Sequence, residues 1–290
     1  MERFKKRFLI RETIAVAGVI ELLLIIALFA IVLAMIQLTY IPEIMEQNEA
    51  KHMDEVSNQF SRLKAMIDIQ AKQNTTIPIS NIITMGNRQL PYLVTMPSRG
   101  DISLIDNDTT NSKINITNGS ININYPLTSI KYESNNLYFV PQTYILEGGG
   151  VIIKQPEGNP VMWENPPFNA TPIRDHNGHV TIIEMHFDIP VFICEDENDK
   201  TSGLDFCYVR TNYSDELSDN NWNYMFNISN INISSEYSYA WFSFVNTSFE
   251  KDVRENITFY QKSNYVRIEK KDDIRIDMYY RKNCIYARLD

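Results

Sequence analysis

Three of the four histidines, His176, His179 and His186, fall close together with Asp175 and Glu184. Imidazole and carboxylate side chains at short spacing are donors that a zinc ion takes, and a zinc-bound water is a hydrolytic nucleophile. An extended run from Val180 divides this group, because successive side chains point to opposite sides. Glu184 and His186 share one face, His179 falls on the other, and Asn177-Gly178 makes His176 and His179 turn residues. An extracytoplasmic hydrolase therefore rests on this group alone, and no catalytic residue, metal ligand or cofactor is assigned.

Other chemical signals are sparse. Gly148-Gly149-Gly150 lead into the apolar run Val151 to Lys154 instead of opening a helix, so they do not form a phosphate loop. No G-x-S-x-G nucleophile elbow occurs. Asp196, Asn198 and Asp199 begin like a calcium loop, but the glycine and terminal glutamate are missing from their places, which reads as a solvated acidic loop. Cys194 and Cys207 flank EDENDKTSGLDF in runs that read as two arms of a hairpin. A disulfide between them would contribute about 2–4 kcal/mol, and a pair of reduced, buried thiols is the alternative. Cys284 has no evident partner.

Serine or threonine stands two residues after Asn74, Asn107, Asn115, Asn118, Asn169, Asn212, Asn227, Asn232, Asn246 and Asn256, without an intervening proline. Chance alone gives roughly four such sequons at this composition, so the excess suggests an exported glycoprotein.

The element that must place all of these residues is Leu22 to Ile41, LLLIIALFAIVLAMIQLTYI, which contains no charge. As a helix it is about 30 Å long, the thickness of a hydrocarbon core. Arg3, Lys5, Lys6, Arg7 and Arg11 precede it, whereas Tyr40, Glu43 and Glu46 stand at its far end, which predicts a cytoplasmic N-terminus and an extracellular remainder. No small-residue cleavage site follows at Leu38 to Tyr40, so the segment reads as an anchor and not as a removed signal. Glu21 lies at the inner boundary, either within the membrane and paired or solvated at headgroup depth.

After Pro42 the period changes. Met53, Val56, Phe60, Leu63 and Ile67 recur at spacings of three and four, predicting an amphipathic helix whose stripe lies on the protein's own sheet or against a partner helix. Beyond Asn74 the chain reads as short strands and turns, with a hairpin at Asn118-Gly119. The predicted strands include Leu137 to Val140, Val180 to Phe187, Val191 to Cys194, Tyr237 to Val245, Ile274 to Tyr280 and Cys284 to Leu289. The fold class is α+β: a transmembrane helix continuing into an amphipathic helix, then a mostly antiparallel, β-sandwich-like extracellular head. The expected divisions are a tail at 1–12, the membrane helix at 13–41, a stalk helix at 42–73 and the β-rich domain at 74–290. A hydrophobic content of 44% argues against disorder, and a net charge of −9, concentrated outside the basic tail, makes nucleic acid an unsuitable partner.

The N-terminal order resembles archaeal type IV pilin-like surface proteins: a basic tail, ETIAVAGVIELLLIIALFAIV from Glu12 to Val32, then YIPEIMEQNEAKHMDEVSNQF. The stretch PLTSIKYESNNLYFVPQTYILEGGGVIIKQPEGN is similar to the heads of an archaeal family with this N-terminus. That resemblance implies membrane lipid and like subunits as partners of the N-terminal helix. It also implies a head facing outward as a structural or adhesive subunit, and a peptidase cut between Gly18 and Val19 with Glu21 pairing to a neighbour's new amine. Two features depart from the pattern: Ala17 precedes Gly18 where a basic residue is expected, and Glu21 would be third after the cut instead of fifth. An uncleaved anchor, holding an envelope protein that binds a ligand or partner without assembling, has the same architecture.

Overall fold

A computed structural model describes residues 2–87, 96–106, 108–195, 199–271 and 273–290, with side chains described from residue 18 onward. The chain divides into two compact units, one running to Asn48 and the other Glu49–Asp290.

The first unit is helical. α1 (Glu2–Met35) passes through a π-helical turn at Ile36–Tyr40 into α2 (Ile41–Gln73). The wide turn has a local cause. Pro42 has no N–H and its ring crowds the carbonyl one turn back. The backbone N–H of Ile41 donates to Ile36 O, one residue further back than in an α-helix. Every residue from Gly18 to Tyr40 is exposed, including Glu21. The helical segment beginning at Gly18 is long and apolar enough to cross a membrane.

In the second unit the remainder of α2 is followed by β1 (Ile79–Thr84), β2 (Arg99–Ile105), β3 (Lys113–Asn118), β4 (Ile121–Pro126), β5 (Ser129–Asn135), β6 (Thr143–Glu147), β7 (Gly150–Lys154), β8 (Val161–Glu164) and β9 (Phe168–Arg174). Then come β10 (Val180–Cys194), β11 (Lys200–Gly203), β12 (Phe206–Tyr213), β13 (Asn223–Met225), β14 (Asn230–Ser234), α3 (Ser238–Ser248), α4 (Lys251–Asn256), β15 (Ile257–Lys262), β16 (Tyr265–Lys270) and β17 (Arg275–Leu289). The architecture is α+β and mostly antiparallel. One sheet runs β1-β12-β17-β10-β9 with β13 also on β17, a second β11-β2-β5-β6-β7-β8, and a third β15-β16-β14-β3-β4.

Two large apolar cores lie among these layers, beside a small cluster of Ile145, Ile152, Tyr237 and Ala240. One gathers the inner faces of the first and third sheets with α3 and α4, around Phe187, Ile231, Trp241 and Met278. The other places Met53, Val56, Phe60, Leu63 and Ile67 of α2 against the first and second sheets. The helix stripe is thus covered by the protein's own strands. Burying five such side chains is worth on the order of 10 kcal/mol. From Glu49 onward α2 belongs to this unit.

Several sequence expectations need correction. Val180–Phe187 and Val191–Cys194 are one strand, β10, and Ile274–Tyr280 and Cys284–Leu289 fall almost wholly within another, β17. The two pair in parallel from Ile182↔Arg275 to Cys194↔Ala287. Their N-terminal halves feed the first core through Ile183, Phe187, Ile276 and Tyr280. Further along, Phe192, Ile285 and Ala287 feed the second core from the opposite face. The apolar alternation changes phase where the strands pass between cores, and that phase change reads as a break.

Tyr237 to Val245 is mostly helix α3, with Ala240, Trp241, Phe244 and Val245 buried at helical spacing. Leu137 to Val140 forms no strand: the N–H groups of Leu137, Tyr138 and Phe139 donate to the buried Glu49 carboxylate at 3.2, 2.8 and 2.7 Å. The β3–β4 hairpin is present, with Asn118 paired to Ile121, so the loop is Gly119-Ser120, one residue later than read. Gly119 at φ +47° supplies the left-handed conformation that the first loop position of a type II′ turn needs. Cys194 and Cys207 lie on β10 and β12, which β17 separates, so they are not arms of a hairpin.

Candidate binding face

Glu184 and His186 point outward from β10, and sheet register decides what stands beside them. Tyr224, Tyr279, His186 and Asn169 are direct cross-strand partners on β13, β17, β10 and β9. At about 4.8 Å per strand this row is roughly 14 Å wide. In neighbouring rows Arg281 stands opposite Asp188, and Asp277 opposite Glu184.

The row is largely aromatic. His186 lies flat on Tyr279, centroids 4.8 Å apart and planes 10° apart, and Tyr224 lies 4.8 Å from the Tyr279 ring. Trp222 meets His186 edge-on at 5.7 Å. Such cross-strand ring pairs stabilise a sheet and fix ring orientation.

Alternation along β13 and its flanks sends Trp222, Tyr224 and Phe226 outward while Met225 enters the first core. The three rings remain 43%, 50% and 50% exposed. Each is held from one side: the Arg281 guanidinium lies 5.2 Å from the Trp222 ring, Tyr279 backs Tyr224, and the Arg275 guanidinium lies 4.7 Å from the Phe226 ring. Cation–π contact of this kind restrains both partners.

Two carboxylates clamp this short strand at its ends. Asp219 accepts from Asn223 Nδ2 at 2.8 Å and from the Lys282 N–H at 2.9 Å. Asp277 accepts from the Tyr224 hydroxyl at 3.1 Å, the Asn227 N–H at 3.1 Å and Arg275 Nε at 3.0 Å. Desolvation, followed by the Asp277 carboxylate, raises the Tyr224 pKa.

The arginines on the face are matched within it. Arg281 and Asp188 approach to 2.9 Å and Arg275 and Asp277 to 2.9 Å, while His186 Nε2 is hydrogen-bonded to Glu184 at 2.9 Å. The Arg281 pair is largely buried, and Arg281 also donates to the Ala71 carbonyl of α2 at 3.3 Å.

The remaining histidines of the predicted group are elsewhere. His176 and His179 sit in the β9–β10 turn, where Asp175 accepts from the N–H groups of Asn177 and His179, each at 2.9 Å. Those backbone hydrogen bonds hold the Asp175 carboxyl below its usual range. Among the described residues no three His, Cys, Asp or Glu side chains are placed to hold a metal ion.

Cys284 lines a cleft of about 410 Å³ with Tyr125, Val191, Ile193 and Lys282. Its thiol is near the Leu217 carbonyl at 3.2 Å, and burial pushes its pKa up, the opposite of an activated nucleophile. Burial likewise raises Cys207 to about 11.

Of the sequon asparagines, Asn74, Asn169 and Asn246 are exposed, while Asn115, Asn118, Asn212, Asn227, Asn232 and Asn256 are half-buried. Asn115, Asn118 and Asn256 spend their amide nitrogens on hydrogen bonds to Asn124, Phe226 and Asp252. Asn107 lies outside the described residues, as do Asp196 and Asn198 of the acidic loop.

Sequence reasoning reached Glu184 and His186 but missed Trp222, Tyr224 and Phe226. The signal was present in NNWNYMF, where three rings alternate with other residues at strand period. No protein-family model, curated protein or solved structure matches the chain.

Proposed function

We propose that this chain is a non-enzymatic, single-anchor cell-surface protein with a cytoplasmic N-terminus. In this reading its sandwich-like β head faces outward and acts by binding, as a pilin-like structural or adhesive subunit. The observation that carries the proposal is the exposed, uncharged and mostly apolar helix surface from Leu22 to Tyr40. Water would leave that surface unfavourably solvated, whereas lipid or neighbouring helices would cover it. The basic residues before it and the sequons after it support the orientation. Aromatic rings with matched charges on the first sheet's outer face support a binding role.

The departure at Ala17 and Gly18 favours a second reading, in which the anchor is permanent and the head works without assembly. Alkaline extraction of native membranes, protease treatment of intact cells and mass spectrometry of the native N-terminus test these readings together. The expected result is release only by detergent, with loss of the head to external protease. An N-terminus near Val19 favours assembly, and an intact Met1 favours the permanent anchor. A product that stays soluble without detergent overturns both.

A further inference from the structure

We propose that the outer face of the first sheet binds a neutral saccharide, with Trp222, Tyr224 and Phe226 as its stacking platform. This deepens, and rests on, the reading of the head as a binding module.

Three observations narrow the ligand. First, the rings stand at alternate positions on one extended segment, so the strip runs about 13 Å from Trp222 to Phe226. An elongated ligand fits that shape. Second, each ring is backed on one side by a group that fixes it, which lowers the ordering cost of a partner landing on the exposed side. Third, the two arginines beside the rings, Arg275 and Arg281, are already paired with Asp277 and Asp188 at 2.9 Å. An anionic ligand would have to break one of those pairs.

A pyranose meets these conditions. Its carbon-bound hydrogens form weakly positive faces that suit the negative face of an aromatic ring, and its hydroxyls need donors and acceptors at the margin. Glu184 and His186 provide such groups on the same sheet face. A protein partner would instead call for a larger apolar centre than three half-exposed rings on and flanking a three-residue strand.

The test uses the full chain in lipid nanodiscs, which avoids the sugar headgroups of maltoside detergents. Isothermal titration with maltotriose, chitotriose and mannotriose is compared with a sialylated trisaccharide. At least one neutral trisaccharide should bind, and the sialylated one should bind at least tenfold more weakly. Trp222→Ala and Phe226→Ala should each weaken binding at least tenfold. Trp222→Phe should keep most of it, and Tyr260→Ala, at an exposed ring on β15, should change nothing. Failure of all three neutral sugars to bind overturns the inference, as does binding that ignores Trp222→Ala and Phe226→Ala while thermal melts show both variants folded. Capture of a protein through Trp222 without saccharide binding also overturns it. Alkaline extraction of the same preparation separates the two levels: membrane retention without sugar binding refutes this inference alone, and loss of retention refutes the anchored reading.

Discussion

Replacing Glu147 with glutamine should remove a pH dependence that this buried carboxyl imposes on the head. Glu147 ends β6 and accepts from Ser235 Oγ at 2.7 Å and Trp241 Nε1 at 2.8 Å. Desolvation raises its pKa from 4.5 to about 7, despite the hydrogen bonds from Ser235 and Trp241, which act in the opposite direction. The folded state therefore holds the proton more tightly than the unfolded chain. The stabilisation is fully present below pH 4.5 and is lost as pH rises through about 7. A difference of that size corresponds to about 3 kcal/mol. For a unit of this size that amounts to roughly 6–12 °C in Tm.

His52 works in the other direction: burial lowers its pKa, so its contribution is present above 6.5 and is lost on acidification. The informative quantity is therefore the difference between wild type and Glu147→Gln, followed by calorimetry of the detergent-solubilised chain from pH 4.5 to pH 8. The variant should gain on the wild type by about 3 kcal/mol across that interval. A difference that stays constant with pH would refute the argument that burial controls this carboxyl.

Glu49→Ala should destabilise the head by about 2–4 kcal/mol in urea titration, because three N–H groups of the β5–β6 loop lose a charged acceptor. Arg281→Ala should cost about 3–5 kcal/mol by the same measurement, since it leaves Asp188 buried without its counter-charge, whereas replacing both partners by apolar residues should cost less. Glycopeptide mass spectrometry of the native protein should find Asn74, Asn169 and Asn246 occupied in preference to Asn115, Asn118 and Asn256, whose amide nitrogens are engaged.

The N-terminal helices were legible because their signals are local. Uniform apolarity from Leu22 and the stripe from Met53 to Ile67 need no knowledge of distant residues. The same holds for the Gly119 hairpin, shifted by one position. What escaped depended on tertiary context. Trp241 and its neighbours read as strand residues because aromatic rings suit strands, but Trp241 packs against Gly148, where a Cβ would come within 2.9 Å of the ring, and donates to Glu147. Asp188, Arg281 and Asn283 fall in the gaps between the predicted strands, yet they pair with each other inside continuous strands. The binding face was half visible: periodicity put Glu184 and His186 together, but only sheet register could bring Tyr279, Tyr224 and Trp222 to them.

The position of β17 has a consequence for biogenesis. Arg275–Leu289 is synthesised last among the strands of its sheet, yet it occupies the middle, holding β10 on one side and β12 and β13 on the other. Until those residues emerge, its neighbours lack the partner that joins them, and their hydrogen-bonding edges stay open. Maturation of the head must then be a late, all-or-none event that depends on long-range closure. A ribosome stalled before the codons for Arg275–Leu289 would hold chains whose unpaired edges invite aggregation and chaperone capture.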